Sequence, residues 1–131
     1  MSCYDNVKAD RMNVAGELYR IVHSVVKDYT TIVVNNGSSV IVKNDKNDTN
    51  IYVRLEVVKD GTIRCNFSSV EIGEKRQGIF SGIVQGVIDS DIIKSAVITS
   101  VVTNEMDCFC KKHKLKRDMN TYCMVKDYII K

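Results

Sequence analysis

The sequence predicts a mixed α/β domain, with antiparallel strands first and helices alternating with strands afterwards. Three observations carry this. Residues 11–28 place apolar side chains at helical spacing. Residues 30–72 read as alternating segments broken by the turn signals Asn36-Gly37 and Asp60-Gly61. From residue 79 onward, two helical stretches alternate with two strands. The order is helix, three or four antiparallel strands, helix, strand, helix, strand, and the sheet changes character partway.

The elements follow in turn. In residues 11–28, Val14, Leu18, Ile21, Val22, Val25 and Val26 share one helical stripe. TTIVVNN (30–36) is a short strand closing in Asn35-Asn36-Gly37, SSVIVK (38–43) is the next strand, and NDKNDTN (44–50) is a polar turn. IYVRLEVV (51–58) alternates Ile51, Val53, Leu55 and Val57 on one face. Asp60-Gly61 then turns the chain into the strand TIRCNFSSVEI (62–72). Residues 79–89 form a helix, and SAVITSVV (95–102) is apolar enough for a strand buried on both faces. NEMDCFCKKHKLK (104–116) reads as a short helix with Asn104 as N-cap and acidic residues in its first turn. YCMVKDYII (122–130) closes the sheet.

The chain has 131 residues, 44% of them hydrophobic, which fits one domain over 1–131 with residues 1–10 as a loose N-terminal segment. A formal net charge of +3 does not argue for a nucleic-acid partner. No apolar run is long enough to span a bilayer, and MSCYDNVKADR has no signal-peptide core, so a cytoplasmic, membrane-free protein is expected. The five cysteines (Cys3, Cys65, Cys108, Cys110, Cys123) are odd in number and irregularly spaced, which points to reduced thiols.

The stretch with chemical content is Val70-Glu71-Ile72-Gly73-Glu74-Lys75-Arg76-Gln77-Gly78-Ile79-Phe80. A strand passes through a basic, glycine-flanked turn into a helix. The amides of residues 76–80 would be helix-start donors without partners, backed by the positive end of the helix dipole. Gly78 would let a phosphate approach the backbone closely.

This stretch resembles the acyl-CoA-binding motif of the GCN5-related N-acetyltransferase (GNAT) superfamily. Lys75 holds the basic position, Gly78 the glycine, Ile79 the apolar position, and Val70 ends the strand. VITSVVTNEMDCFCKKHKLK looks like that family's fifth strand, the following Asn104 and the next short helix, and the element order agrees over roughly 11–130. The resemblance implies a GNAT-like sheet in which a parallel strand pair, joined by a crossover helix, splays apart and holds acetyl-CoA in the gap. It implies Val70, Ile72, Lys75, Arg76, Gln77, Gly78, Ile79, Phe80, Ser81 and Asn104 as acetyl-CoA-binding residues. The sequence departs from the family's pattern at Phe80, where a Gly or Ala is usual. It also lacks the usual Tyr after Asn104, having Phe109-Cys110-Lys111-Lys112 there, and the Gly that usually ends that helix, having Lys114-Leu115.

Two function classes follow. One is acetyl transfer from acetyl-CoA to an amine of a small molecule or a protein. Glu71 is then the candidate catalytic carboxylate, accepting the amine proton, and a strand amide near Val70 or Ile72 stabilises the developing oxyanion. The other is a non-catalytic protein of the same fold that docks a macromolecular partner, which the missing Tyr and Phe80 suit. Glu71 also reads simply as a solvent-facing residue between Val70 and Ile72, and Glu56 has a similar status. Cys108 and Cys110 lie two apart on a helix and face different ways, so with His113 they do not make a zinc site, and no metal is expected. The basic run Cys110 to Arg117 reads as a solvated helix end, or as a patch for an acidic partner or the CoA 3′-phosphate. His23 lies beside the first helix's apolar stripe and reads as structural.

Overall fold

The computed structural model describes residues 3–25, 30–35, 38–44, 49–71, 77–101, 104–118 and 126–131. Among these the chain runs α1 (Cys3–Val25), β1 (Thr30–Asn35), β2 (Ser39–Asn44), β3 (Thr49–Val57), β4 (Ile63–Glu71), α2 (Gln77–Asp89), β5 (Ser95–Val101), α3 (Asn104–Lys112), β6 (Lys116–Asp118) and β7 (Lys126–Ile129). The strands form one sheet in the order β1-β2-β3-β4-β5-β7-β6. β1 to β4 are antiparallel neighbours, β4 and β5 are parallel with α2 between them, and β7 is antiparallel to both β5 and β6. This is the mixed sheet expected from the sequence, antiparallel N-terminal strands followed by a parallel pair with a crossover helix. No helix among the described residues is long and apolar enough to cross a membrane.

The period-two pattern sets which face is buried. One cross-strand row runs Val34, Val40, Val53, Phe67, Ile98, Tyr128 and a second runs Ile32, Val42, Ile51, Val70. Most of these side chains are core residues. The opposite face carries the polar row Ser39, Arg54, Asn66 and the pair Glu56–Arg64, bonded Nη2 to Oε1 at 3.0 Å. That ion pair makes Glu56 a surface tie between β3 and β4. The β3–β4 hairpin turns where the sequence signals it. Gly61 takes φ +86°, and Asp60 Oδ1 accepts the Thr62 amide at 3.0 Å and the Thr62 hydroxyl at 2.6 Å. β5 is buried on both faces, through Ala96, Val97, Ile98 and Val101.

α1 buries Val14, Leu18, Ile21 and Val22 of the stripe predicted for it, and Ala15 beside them, with Val25 half-buried and Val26 outside the described residues. It begins at Cys3, eight residues earlier than expected, because residues 3–10 carry no apolar period to announce it. α1 and α2 run antiparallel in close contact. A Cβ on Gly86 would stand 2.6 Å from Ile21 Cγ2, and one on Gly82 would stand 3.1 Å from both γ-carbons of Val25. Gly78, Gly82 and Gly86 recur every four residues on α2, a spacing that groups them along one face. At the far end of the pair, Ser90 Oγ donates to Glu17 Oε2 at 2.5 Å while accepting the amides of Ile92 and Ile93. Lys131 Nζ donates to the carbonyls of Val87 and Ser90, supplying the cation that the last turn of α2 lacks.

α3 ends sooner than the predicted 104–116. Lys114 takes φ 57°, and the Leu115 amide donates back to the Cys110 carbonyl at 3.0 Å. This is the closing geometry glycine usually serves, with Lys114 occupying it. Leu115 then packs on the core, and residues 116–118 leave as β6. Of the closing strand predicted over 122–130, residues Lys126–Ile129 form β7 and residues 122–125 lie outside the described residues.

Candidate functional site

The site is built where the parallel pair opens. β4 and β5 pair from Arg64–Ser95 to Phe67–Ile98. Beyond that, β4 continues to Glu71 and β5 to Val101, with no ladder between them among the described residues. Both strands carry an irregularity at this point. Tyr52 pairs with Ser69 and Val53 with Phe67, so Ser68 is an extra residue in β4. Between Ile98 and Val101, β5 has one residue more than β7 between Tyr128 and Lys126. An extra residue bends the strand that carries it and ends regular pairing, so two of them, one on each strand, part the pair. At the fork, the Thr99 hydroxyl donates to Asn66 Oδ1 at 2.7 Å.

α2 opens at this fork. Its first described residue is Gln77, so by helix geometry the amides of residues 77–79 lie in the first turn, ahead of the bonds within the helix. Phe80 anchors this turn. Its ring is fully buried, edge-on to Phe67 with centroids 5.7 Å apart, and 5.0 Å from Phe109 of α3. The three rings fasten the start of α2 and the body of α3 to the last paired residue of β4. The bulk of Phe80 therefore lies in the core.

The other predicted residues that the structure describes lie on β4, α2 and α3. Val70 and Ile79 are half-buried against the core, and Ser81 is half-buried on α2. Glu71 is exposed at the end of β4, past the last β4–β5 pair, alternating with half-buried Val70. Asn104 is the first residue of α3, following β5. Ile72, Lys75 and Arg76 lie outside the described residues. Asn66, Ser68 and Thr99 went unnoticed in the sequence, because a polar residue in an alternating strand looks the same whether or not it sits at a bulge.

Proton-bearing groups nearby are already committed. The Tyr128 hydroxyl on β7 donates to Asp107 Oδ1 on α3 at 2.5 Å. That hydrogen bond, with burial added, pushes the hydroxyl up to about 12. Asp107 also accepts from Lys126 Nζ at 3.1 Å and pairs with Lys111 at 3.2 Å. These donors, Tyr128 first, hold its carboxyl well below the usual carboxylate range. Cys110 is buried, and desolvation pushes its thiol up to about 12, so it stays protonated at neutral pH. His113 stacks at 4.2 Å on Phe109. Among the described residues no three His, Cys, Asp or Glu side chains converge on one point.

No protein-family model and no curated protein matches the sequence. Among solved structures, Arabidopsis thaliana Naa50 in complex with the bisubstrate analogue CoA-Ac-MVNAL superposes with a TM-score of 0.42 and 14% identity, over 70% of this chain and 69% of that one. A likeness of that size carries no argument about chemistry, which rests on the geometry of the chain.

Proposed function

We propose that the chain is an acetyl-CoA-dependent N-acetyltransferase acting on an amine of a small molecule or a protein. The observation that carries this is the fork between β4 and β5, with the first turn of α2 opening beside it. A strand edge freed from its neighbour offers donors and acceptors to an extended amide-bearing chain such as pantetheine, as if to another strand. The first-turn amides of residues 77–79 suit a pyrophosphate, and Lys75 and Arg76 precede them in sequence. Acetyl-CoA would supply a thioester-activated acetyl group. An amide of β4 near Val70 or Ile72 would donate to the carbonyl oxygen as negative charge develops, and Glu71 would take the amine proton.

Transfer is expected to be slow or confined to one acceptor. General acid help to a leaving thiolate is worth about 10²–10⁴ in rate. Of the candidate acids Tyr122, Tyr128 and Cys110, Tyr122 lies outside the described residues, and the other two hold their protons to about 12. Positioning and oxyanion stabilisation remain. The same commitment of Tyr128 and Cys110 supports a second reading, a non-catalytic protein of this fold that docks a macromolecular partner.

Two measurements separate these. Ligand at about a hundred times its Kd adds roughly 2.7 kcal/mol to stability. Acetyl-CoA should therefore raise the melting temperature of the parent and not of Gly78→Glu, which puts charge and bulk at the second helical amide. No shift in the parent at millimolar acetyl-CoA refutes both cofactor binding and catalysis and leaves the second reading. An equal shift in Gly78→Glu moves the pocket elsewhere. Free CoA release with polyamines, aminoglycosides and lysine peptides then reads turnover directly, and rapid release with a generic amine would contradict the expected slowness.

A further inference from the structure

The two edges of the sheet differ in kind. β6 is three residues long and carries Lys116, Arg117 and Asp118, a short charged edge that resists pairing. β1, at the other edge, reads TTIVVN, six residues with no ionisable side chain and no proline. It spans about 20 Å. Alternate residues on its outer side present N–H and C=O groups away from β2, with no strand beyond them among the described residues. Its side chains stand open as well, with Val33 43% and Val34 36% exposed.

We propose that β1 pairs antiparallel with β1 of a second copy of this chain, with Val33 on the two-fold axis. The strand's composition selects this occupant. An edge without charge offers nothing to a charged segment, and its best cross-strand partners are β-branched residues, which β1 itself supplies. In an isologous antiparallel pair centred on Val33, Ile32 meets Val34 of the second copy and Thr31 meets Asn35. No two charges oppose each other. The apolar side chains are also continuous across the axis. On one face the cross-strand row Tyr52, Ile41, Val33 runs on into its own mirror sequence. On the other, Ile32 and Val34 extend the rows that begin at Ile51–Val42 and Val53–Val40. Two seven-stranded sheets become one.

Sedimentation velocity across about 1–100 µM tests this, because one strand pair buries less than a standard interface and gives a dimer that dissociates on dilution. The parent should pass from monomer mass to twice that mass. Val33→Lys places like charges across the axis and should weaken the dimer by at least about tenfold. Mixing Val33→Lys with Val33→Asp opposes unlike charges and should restore the dimer. Val57→Lys, equally exposed at 42% but on β3, should leave association unchanged. Melting of Val33→Lys at dilute concentration should match the parent, since Val33 is exposed and not part of the buried core. A parent that stays monomeric throughout, a Val33→Lys dimer as tight as the parent's, or a mixture that stays monomeric would each overturn the proposal. So would a monomer whose β1 edge takes only strands of foreign sequence.

Discussion

Three glycines that look alike in sequence sit in different surroundings. At Gly86 an added methyl would meet Ile21, which is itself packed at 2% exposure, so neither side can yield. Overpacking of this kind costs about 1–3 kcal/mol, against roughly 1 kcal/mol gained from alanine's helix propensity. Gly86→Ala should therefore be less stable by up to about 2 kcal/mol. At Gly82 the clash is milder, 3.1 Å to half-buried Val25, and the two effects should cancel to within about 0.5 kcal/mol. Gly16 on α1 has nothing within 4 Å of a Cβ, so Gly16→Ala should stabilise by about 0.5–1 kcal/mol. Urea unfolding of the three variants checks the order. A Gly86→Ala protein as stable as Gly16→Ala would show that α1 and α2 do not pack through this face.

At the scale of elements, polar ties hold the helices to their neighbours. Glu17 on α1 is bonded to Arg20 and to Ser90, which lower its pKa in that order against the cost of burial. The tie fixes one end of the α1–α2 pair. α3 is tied to β7 by Asp107 and Tyr128, and this tie titrates at both extremes. Tyr128 has a raised pKa in the folded chain, so its contribution is whole below about pH 10, the unfolded value, and is lost as pH rises through about 12. Asp107 has a lowered one, so its contribution is present above about pH 4 and is lost as pH falls further. The urea midpoint of Tyr128→Phe should accordingly fall less than the parent's between about pH 10 and 12, and that of Asp107→Asn less below about pH 4. Parallel curves for parent and variant at both ends would mean that the bond is not made in solution.

Across the whole molecule, one core joins the strands to α3. Cys65 of β4 and Cys110 of α3 both belong to it, and burial pushes both thiols up to about 12. At pH 8 a thiol of that pKa is about one part in ten thousand thiolate. Iodoacetamide should label exposed Cys108 in the native protein and reach Cys65 and Cys110 only on unfolding, at one shared denaturant midpoint. Mass spectrometry of the labelled peptides reads this, and separate midpoints would divide the core into two cooperative units. Much of that core was legible beforehand. The α1 stripe, the alternation in β3, the Asp60-Gly61 hairpin and the apolar β5 are local patterns, because a helix or a half-buried strand imposes its period on neighbouring residues. The helix expected over 79–89, found as α2, was legible for the same reason, and with it the neighbourhood of the candidate site. Other features depend on what a residue meets far along the chain. Ser68 is a bulge only because Tyr52 and Val53 register on either side of it, and Phe80 is core only because Phe67 and Phe109 enclose it. Lys114 can hold its left-handed turn because Leu115 packs beyond it, and β7 lies between β5 and β6 although it follows both. Side-chain spacing records the first kind of fact and not the second, since the free energy of a bulge, a fork or a strand order lies in contacts between segments that no local period relates.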